Sequence, residues 1–232
     1  MAVNASGSVI ANGDCVANGA RSHGDGSERK WQILCYWPNI VGYARLVLFA
    51  VATLFLWFDS AVLFLTLYCA SALLDVIDGY LARKLKQISV FGAWLDVVVD
   101  NVQRGFLWVT ISNWTFFITA VEWTTFVVTH PYGALWKKHS TMKTTHTAPF
   151  LVHEISKNGF KSPLGAFTLF SVHACPVLMY VYYRFCTLDT IVAAWWSTAC
   201  LAALWCVVIG RILALLVEIW LILTHVSLLL EY

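Results

Sequence analysis

Charge is scarce in this sequence. Only 12% of its 232 residues are Asp, Glu, Lys or Arg, about half the share usual in soluble domains. The formal net charge is just +2, and no basic run is interleaved with aromatics, which excludes a nucleic-acid-binding surface. Its seven cysteines show no CxxC or CxxH spacing and fall mostly inside apolar runs. They read as small buried hydrophobes, not as a disulfide framework or a zinc site. Residues 1–30 lack any apolar run, so they hold neither a signal peptide nor a span. Rich in Gly, Ala, Asn and Ser, they read as a disordered cytosolic tail. No internal repeat is visible, and Pro38, Pro131, Pro149 and Pro163 fall at or near the ends of apolar runs.

What fills the chain instead is apolar: 59% of its residues are hydrophobic, with a mean hydropathy of +0.70. The runs lie near residues 39–58, 61–82, 90–112, 114–130 and 164–185, followed by a tract over 190–230. Residues 31–232 therefore read as one all-α polytopic membrane domain of about six transmembrane helices. The last tract exceeds a single span. It is either one tilted helix continuing past the bilayer or a span followed by a surface helix. Twelve tryptophans suit the two interfacial belts. Arg29 and Lys30 precede the first run, and Arg83, Lys84 and Lys86 separate the second from the third. The loop 131–163 carries Lys137, Lys138, Lys143, Lys157 and Lys161 against Glu154 alone. These loops and both chain ends are expected on the cytosolic side.

Against this background four aspartates need an explanation. Asp75 and Asp78 stand three apart, Asp96 and Asp100 four apart, so on helices each pair projects from one face. A short basic turn joins the two helices, which brings the carboxylates together at the cytosolic rim. Desolvation and mutual repulsion penalise such a cluster unless cations neutralise it. Hard oxygen ligands in that number suit Mg2+ or Mn2+. Gly79 and Gly92, with Ala82 one turn after Asp78, leave room beside the acids, and Arg83 adds a fixed positive charge suited to phosphate. A metal pair flanked by Arg and small residues is what a diphosphate substrate requires.

The series Asp75-x2-Asp78-Gly79-x2-Ala82-Arg83-x8-Gly92-x3-Asp96-x3-Asp100 resembles the signature of CDP-alcohol phosphatidyltransferases at every position. "PNIVGYARL" (38–46) and "LLDVIDGYLARKLKQ" (73–87) are similar to eukaryotic phosphatidylinositol synthases, and the close likeness covers about residues 36–101. The resemblance implies six transmembrane helices, commonly a homodimer in the endoplasmic reticulum, with a site open to the cytosol. It implies that Asp75, Asp78 and Asp96 bind two divalent ions, that Asp100 adds to metal binding and acts as general base, and that Gly79, Ala82, Arg83 and Gly92 hold CDP-diacylglycerol. The acceptor it implies is a polar alcohol, myo-inositol, giving phosphatidylinositol and CMP.

The second half departs from that pattern. Asn101 stands where such enzymes carry Arg directly after the fourth aspartate, with Arg104 one turn on. Glu122 and Phe126 replace Asp and His in the fourth span, and His173-Ala174 replaces Asn-Glu in the fifth. Other acceptors, such as glycerol 3-phosphate, and a non-catalytic paralogue therefore stay open. Arg45, Arg104, Glu122 and His173 are candidates for acceptor or phosphate contacts, because ionisable groups within spans face cavities or partners. Arg211 and Glu218, seven apart on one helical face, read equally as a bundle contact. His139, His146 and His153 recur every seven residues, but Pro149 breaks any shared helix, and solvated loop histidines are expected. A UbiA-like prenyltransferase lacks the Gly-x2-Ala-Arg continuation, and a cation channel has no need of Arg83 beside its acids.

Overall fold

A computed structural model describes residues 31–129, 148–185 and 191–230. The expected tail 1–30, His139 and His146 lie outside the described residues. Within them the chain is helical and no strand occurs. The helices are α1 (Trp37–Trp57), α2 (Ala61–Lys84), α3 (Val90–Ile111), α4 (Phe116–Thr129), α5 (Phe150–Phe160), α6 (Pro163–Phe185) and α7 (Ile191–Leu230).

Local chemistry sets the ends. Pro38 starts α1, where its fixed φ and missing N–H cost nothing. Asp59, at positive φ, turns the chain into α2 and pairs with Arg184 at the end of α6. Arg83 and Lys84 occupy the last turn of α2, where cations complement the helix dipole. Ser89 caps α3, its Oγ accepting from Gly92 N at 2.9 Å.

Among the described residues four helical stretches are long and apolar enough to cross a membrane: α1, α2, α6 and Ser197–Ser227 within α7. The expected six spans coincide with six helices, but α3 and α4 fall short on composition and length. Asp96, Asp100 and Arg104 load α3 with charge. The 14 residues of α4 rise only about 21 Å, against a hydrocarbon core of roughly 30 Å. The open question about the last tract is answered by one continuous 40-residue helix. A second difference concerns the loop after α4. Its described part holds α5, which begins after Pro149, leaves helical geometry at Lys157, Asn158 and Gly159, and buries Val152 and Ile155 against Val217 of α7. His153 sits half-buried on that helix, not in a solvated loop.

α1 lies between α2 and α3, which scarcely touch one another, and α6 runs along α7. Phe49, Ala52, Phe64, Tyr68, Leu107 and Tyr180 form the core joining α1, α2, α3 and α6. A second cluster, Trp108, Cys175, Leu204 and Val207, joins α3 to α6 and α7. Many other large apolar side chains, among them Val47, Leu54, Val62, Leu73 and Phe170, are exposed on the helix exteriors, as a lipid-facing surface requires. Trp37, Trp57 and Trp114 are exposed at helix ends, whereas Trp108 is buried. Of the cysteines expected as buried hydrophobes, Cys175 and Cys200 are buried, but Cys69 and Cys206 lie on helix exteriors.

Candidate active site

The four aspartates converge, and Arg45 stands in their midst. Being central, α1 delivers this guanidinium between the acid-bearing faces of α2 and α3. Arg45 Nη1 lies 2.8 Å from Asp75 Oδ1 and 3.0 Å from both Asp78 Oδ2 and Asp96 Oδ1, while Nη2 lies 2.5 Å from Asp100 Oδ1. Its side chain is 0% exposed. The backbone beneath is tied across three helices. Ser71 Oγ donates to the Arg45 carbonyl at 3.1 Å and accepts from Gln103 Nε2 at 2.7 Å. Desolvation of an arginine is tolerable only with such pairing.

Carboxylate oxygens of Asp75, Asp78 and Asp96 all lie within 4.8 Å of one another, close enough to share a metal ion. Asp75 Oδ1 is buried and receives no aligned hydrogen bond, despite its nearness to Arg45. A half-buried set of hard oxygens with one unsatisfied member fits a divalent ion. Asp100 stands just outside that trio. Its other oxygen, Oδ2, lies 3.3 Å from His173 Nε2 and 3.7 Å from Arg104 Nη1.

Beside the trio opens a cavity of about 140 Å³, lined among others by Gly79, Ala82, Gly92, Asp78 and Asp96. A Cβ on Gly79 would meet nothing closer than the Arg83 guanidinium at 3.6 Å, so helix packing does not require glycine there. Gly92 differs. A Cβ would come within 2.7 Å of Asn39 Oδ1, so the room expected at Gly92 is taken by the Asn39 amide, itself held by Nδ2 donating to the Ile33 carbonyl at 2.6 Å. Among the described residues no carboxylate pairs with Arg83. Asn39, Gln87 and Ser89 also line the cavity. Sequence reasoning passed over them because a lone amide or hydroxyl at a helix end reads as a cap.

The acceptor candidates separate into two places. Arg45 joins the aspartates, whereas Arg104, Glu122 and His173 gather on the far side of Asp100. Arg104 donates from Nε to Glu122 Oε2 at 3.3 Å and from Nη2 to Asn101 Oδ1 at 2.5 Å, and its Nη1 meets His173 Nε2 at 2.9 Å. Glu122 accepts from Arg211 Nη2 at 3.2 Å, and Arg211 Nη1 donates to Glu218 Oε2 at 3.1 Å. Thus Arg211 and Glu218 do pair within α7, and Glu122 links them to Arg104. Phe126 stacks edge-on with Trp123, with ring centroids 5.9 Å apart.

Comparison with known proteins matches this framework. The chain is 43% identical over 84 residues to CDP-diacylglycerol–inositol 3-phosphatidyltransferase 1 of Arabidopsis thaliana, covering 36% of this chain and 37% of that protein. It is 35% identical over 118 residues to the Saccharomyces cerevisiae CDP-diacylglycerol–inositol 3-phosphatidyltransferase, covering 49% and 52%. The human protein of that name is 36% identical over 80 residues, covering 34% and 37%. These matches span between about a third and a half of the length of the relatives. No solved structure matches. The profile of the family described as CDP-alcohol phosphatidyltransferase matches residues 35–172, more than half of the chain and every aspartate of the site, and the chain belongs to that family.

Proposed function

We propose that the chain is a membrane phosphatidyltransferase that moves the phosphatidyl group of CDP-diacylglycerol to myo-inositol, releasing CMP. The observation that carries this is the position of Asp100, between a trio of carboxylates beside a cavity and a separate polar cluster. One side suits the diphosphate, the other an alcohol, and the reacting oxygen belongs between them. Asp75, Asp78 and Asp96 would hold Mg2+ or Mn2+, with Asp100 alongside; bound there, the ions supply positive charge to the diphosphate. Gly79 and Ala82 leave space for the nucleotide diphosphate, and Arg83 offers its guanidinium to a phosphate oxygen. Asp100 accepts the proton of the incoming hydroxyl. The hydroxyl oxygen bonds to the β-phosphorus, the bond from that phosphorus to the α–β bridging oxygen breaks, and CMP departs with the electron pair.

The cluster beyond Asp100 favours a neutral polyol. Among the described residues of this cluster, Arg104 and Arg211 are matched by Glu122 and Glu218, so neither guanidinium is left over for an acceptor phosphate. Its amide, imidazole and carboxylate groups can instead exchange hydrogen bonds with several hydroxyls. The positive-inside distribution of lysines supports a cytosol-facing site, and a homodimer in the endoplasmic reticulum, which the resemblance of the aspartate motif implies, belongs to the same proposal. The test is a purified-protein assay with CDP-diacylglycerol and Mn2+ or Mg2+, offering labelled inositol, glycerol 3-phosphate and serine in parallel. Labelled inositol should enter lipid; incorporation of glycerol 3-phosphate alone would overturn the acceptor assignment.

A further inference from the structure

Arg45 touches all four aspartates at once, and the three carboxylates around its Nη1 are the same three that offer oxygens within metal-sharing distance of one another. A guanidinium nitrogen sits about 3 Å from each oxygen, whereas a Mg2+ ion needs them at about 2.1 Å. Both cannot hold those oxygens together. We infer that Arg45 is a built-in counter-cation, which holds the carboxylates together until a divalent ion competes it away. The inference rests on the proposed metal-binding role of the aspartates.

Three features make Arg45 suited to such an exchange. Its backbone is anchored through Ser71 and Gln103, so the side chain can move while the helix stays. Arg45 Nε is buried without a hydrogen-bond partner, so the rotamer that reaches the aspartates is not locked along its stem. Asp78 and Asp96, which it contacts, also line the adjoining cavity, so the carboxylates that hold the guanidinium are the ones an ion or anionic ligand entering that cavity meets. Without Arg45, four clustered carboxylates would face each other in a half-buried site, an arrangement that opens or neutralises unless cations are present.

The consequence is measurable without turnover. Full-length protein in detergent, free of CDP-diacylglycerol, is titrated with Mn2+ while unbound Mn2+ is followed by electron paramagnetic resonance. Thermal unfolding is recorded in chelator and in saturating Mn2+. Arg45→Met keeps an unbranched apolar stem and removes the guanidinium that competes. Its Mn2+ affinity should rise at least about tenfold, as expected for removing one positive charge from contact with the ligands. Its unfolding midpoint should fall in chelator and recover in Mn2+ by far more than the wild type gains. If Arg45→Met binds Mn2+ no more tightly than wild type, or is destabilised equally in both buffers, the counter-cation role is wrong. Should Arg45→Met not survive purification, Arg45→Lys applies the same criterion, because one ammonium cannot span four carboxylates. It should bind Mn2+ more tightly than wild type by a smaller factor, and equal or weaker binding overturns the inference. If wild type and variants all fail to bind Mn2+, the metal site itself is refuted, not just the part played by Arg45.

Discussion

Replacing Glu122 by Gln keeps the volume of the side chain and removes its charge. That single carboxylate serves Arg104 at 3.3 Å and Arg211 at 3.2 Å, with its own side chain only 4% exposed. Breaking a buried pair by removing one partner costs about 3–5 kcal/mol, because the surviving charge is stranded. Each arginine here keeps a second acid, Asp100 at 3.7 Å for Arg104 and Glu218 at 3.1 Å for Arg211. The lower end, about 3 kcal/mol, is therefore expected. For a chain of this size that corresponds to a fall of roughly 6–12 °C in the unfolding midpoint in detergent. Glu122→Gln also leaves the cluster with one surplus positive charge. Glycerol 3-phosphate should then gain on inositol as acceptor by about tenfold or more, since an uncompensated charge a few ångströms away is worth at least ~1.4 kcal/mol at intermediate dielectric. Adding Arg211→Gln restores neutrality and should return the preference to inositol, with a coupling of about 1–3 kcal/mol in the stability cycle. A midpoint change under about 2 °C, or an acceptor ratio identical to wild type, would refute both the ion-pair network and its part in selectivity.

Other substitutions probe the remaining parts of the site. Asp78→Asn should abolish turnover and weaken Mn2+-dependent binding of CDP-diacylglycerol, measured by filter binding with labelled lipid; normal turnover would sink the metal trio. Asp100→Asn keeps size and hydrogen bonding but loses the proton acceptor, so turnover should fall about 10²–10⁴-fold with little change in CDP-diacylglycerol affinity. An equal loss in affinity would make Asp100 chiefly a metal ligand. Gly79→Leu should block CDP-diacylglycerol binding in a protein that still folds, because only the Arg83 guanidinium stands near the added carbon; unimpaired binding would mean that the cavity is not the nucleotide site.

How far the sequence alone reaches differs between the two halves of the molecule. Helix limits followed from apolar runs with few internal breakers, so α1, α2, α3 and α6 begin and end within about two residues of expectation. The short helix α5 escaped because it is only 11 residues long and lies in a lysine-bearing loop between Pro149 and Pro163, too short a pattern to stand out from its flanks. The aspartate cluster could be read from spacing, since i, i+3 and i, i+4 place side chains on one face whatever the tertiary fold. The place of Arg45 could not. It depends on α1 inserting between α2 and α3, a packing choice with no local signature. The cluster of Arg104, Glu122, His173 and Arg211 draws on four helices, and one-dimensional spacing carries no information about such a junction. There the sequence offered only the rule that charges inside spans find partners.

Transfer at the β-phosphorus is the central chemical claim, and the fate of that phosphorus tests it most directly. Purified wild-type protein is given Mn2+, myo-inositol and CDP-diacylglycerol labelled at the β-phosphate, and the products are separated into lipid and aqueous fractions. The label should appear in an inositol-bearing phospholipid, with one unlabelled CMP released per molecule formed, and both products should vanish in chelator. Label in phosphatidic acid, label in the aqueous nucleotide, or no release of CMP by protein that binds Mn2+ and CDP-diacylglycerol would contradict it.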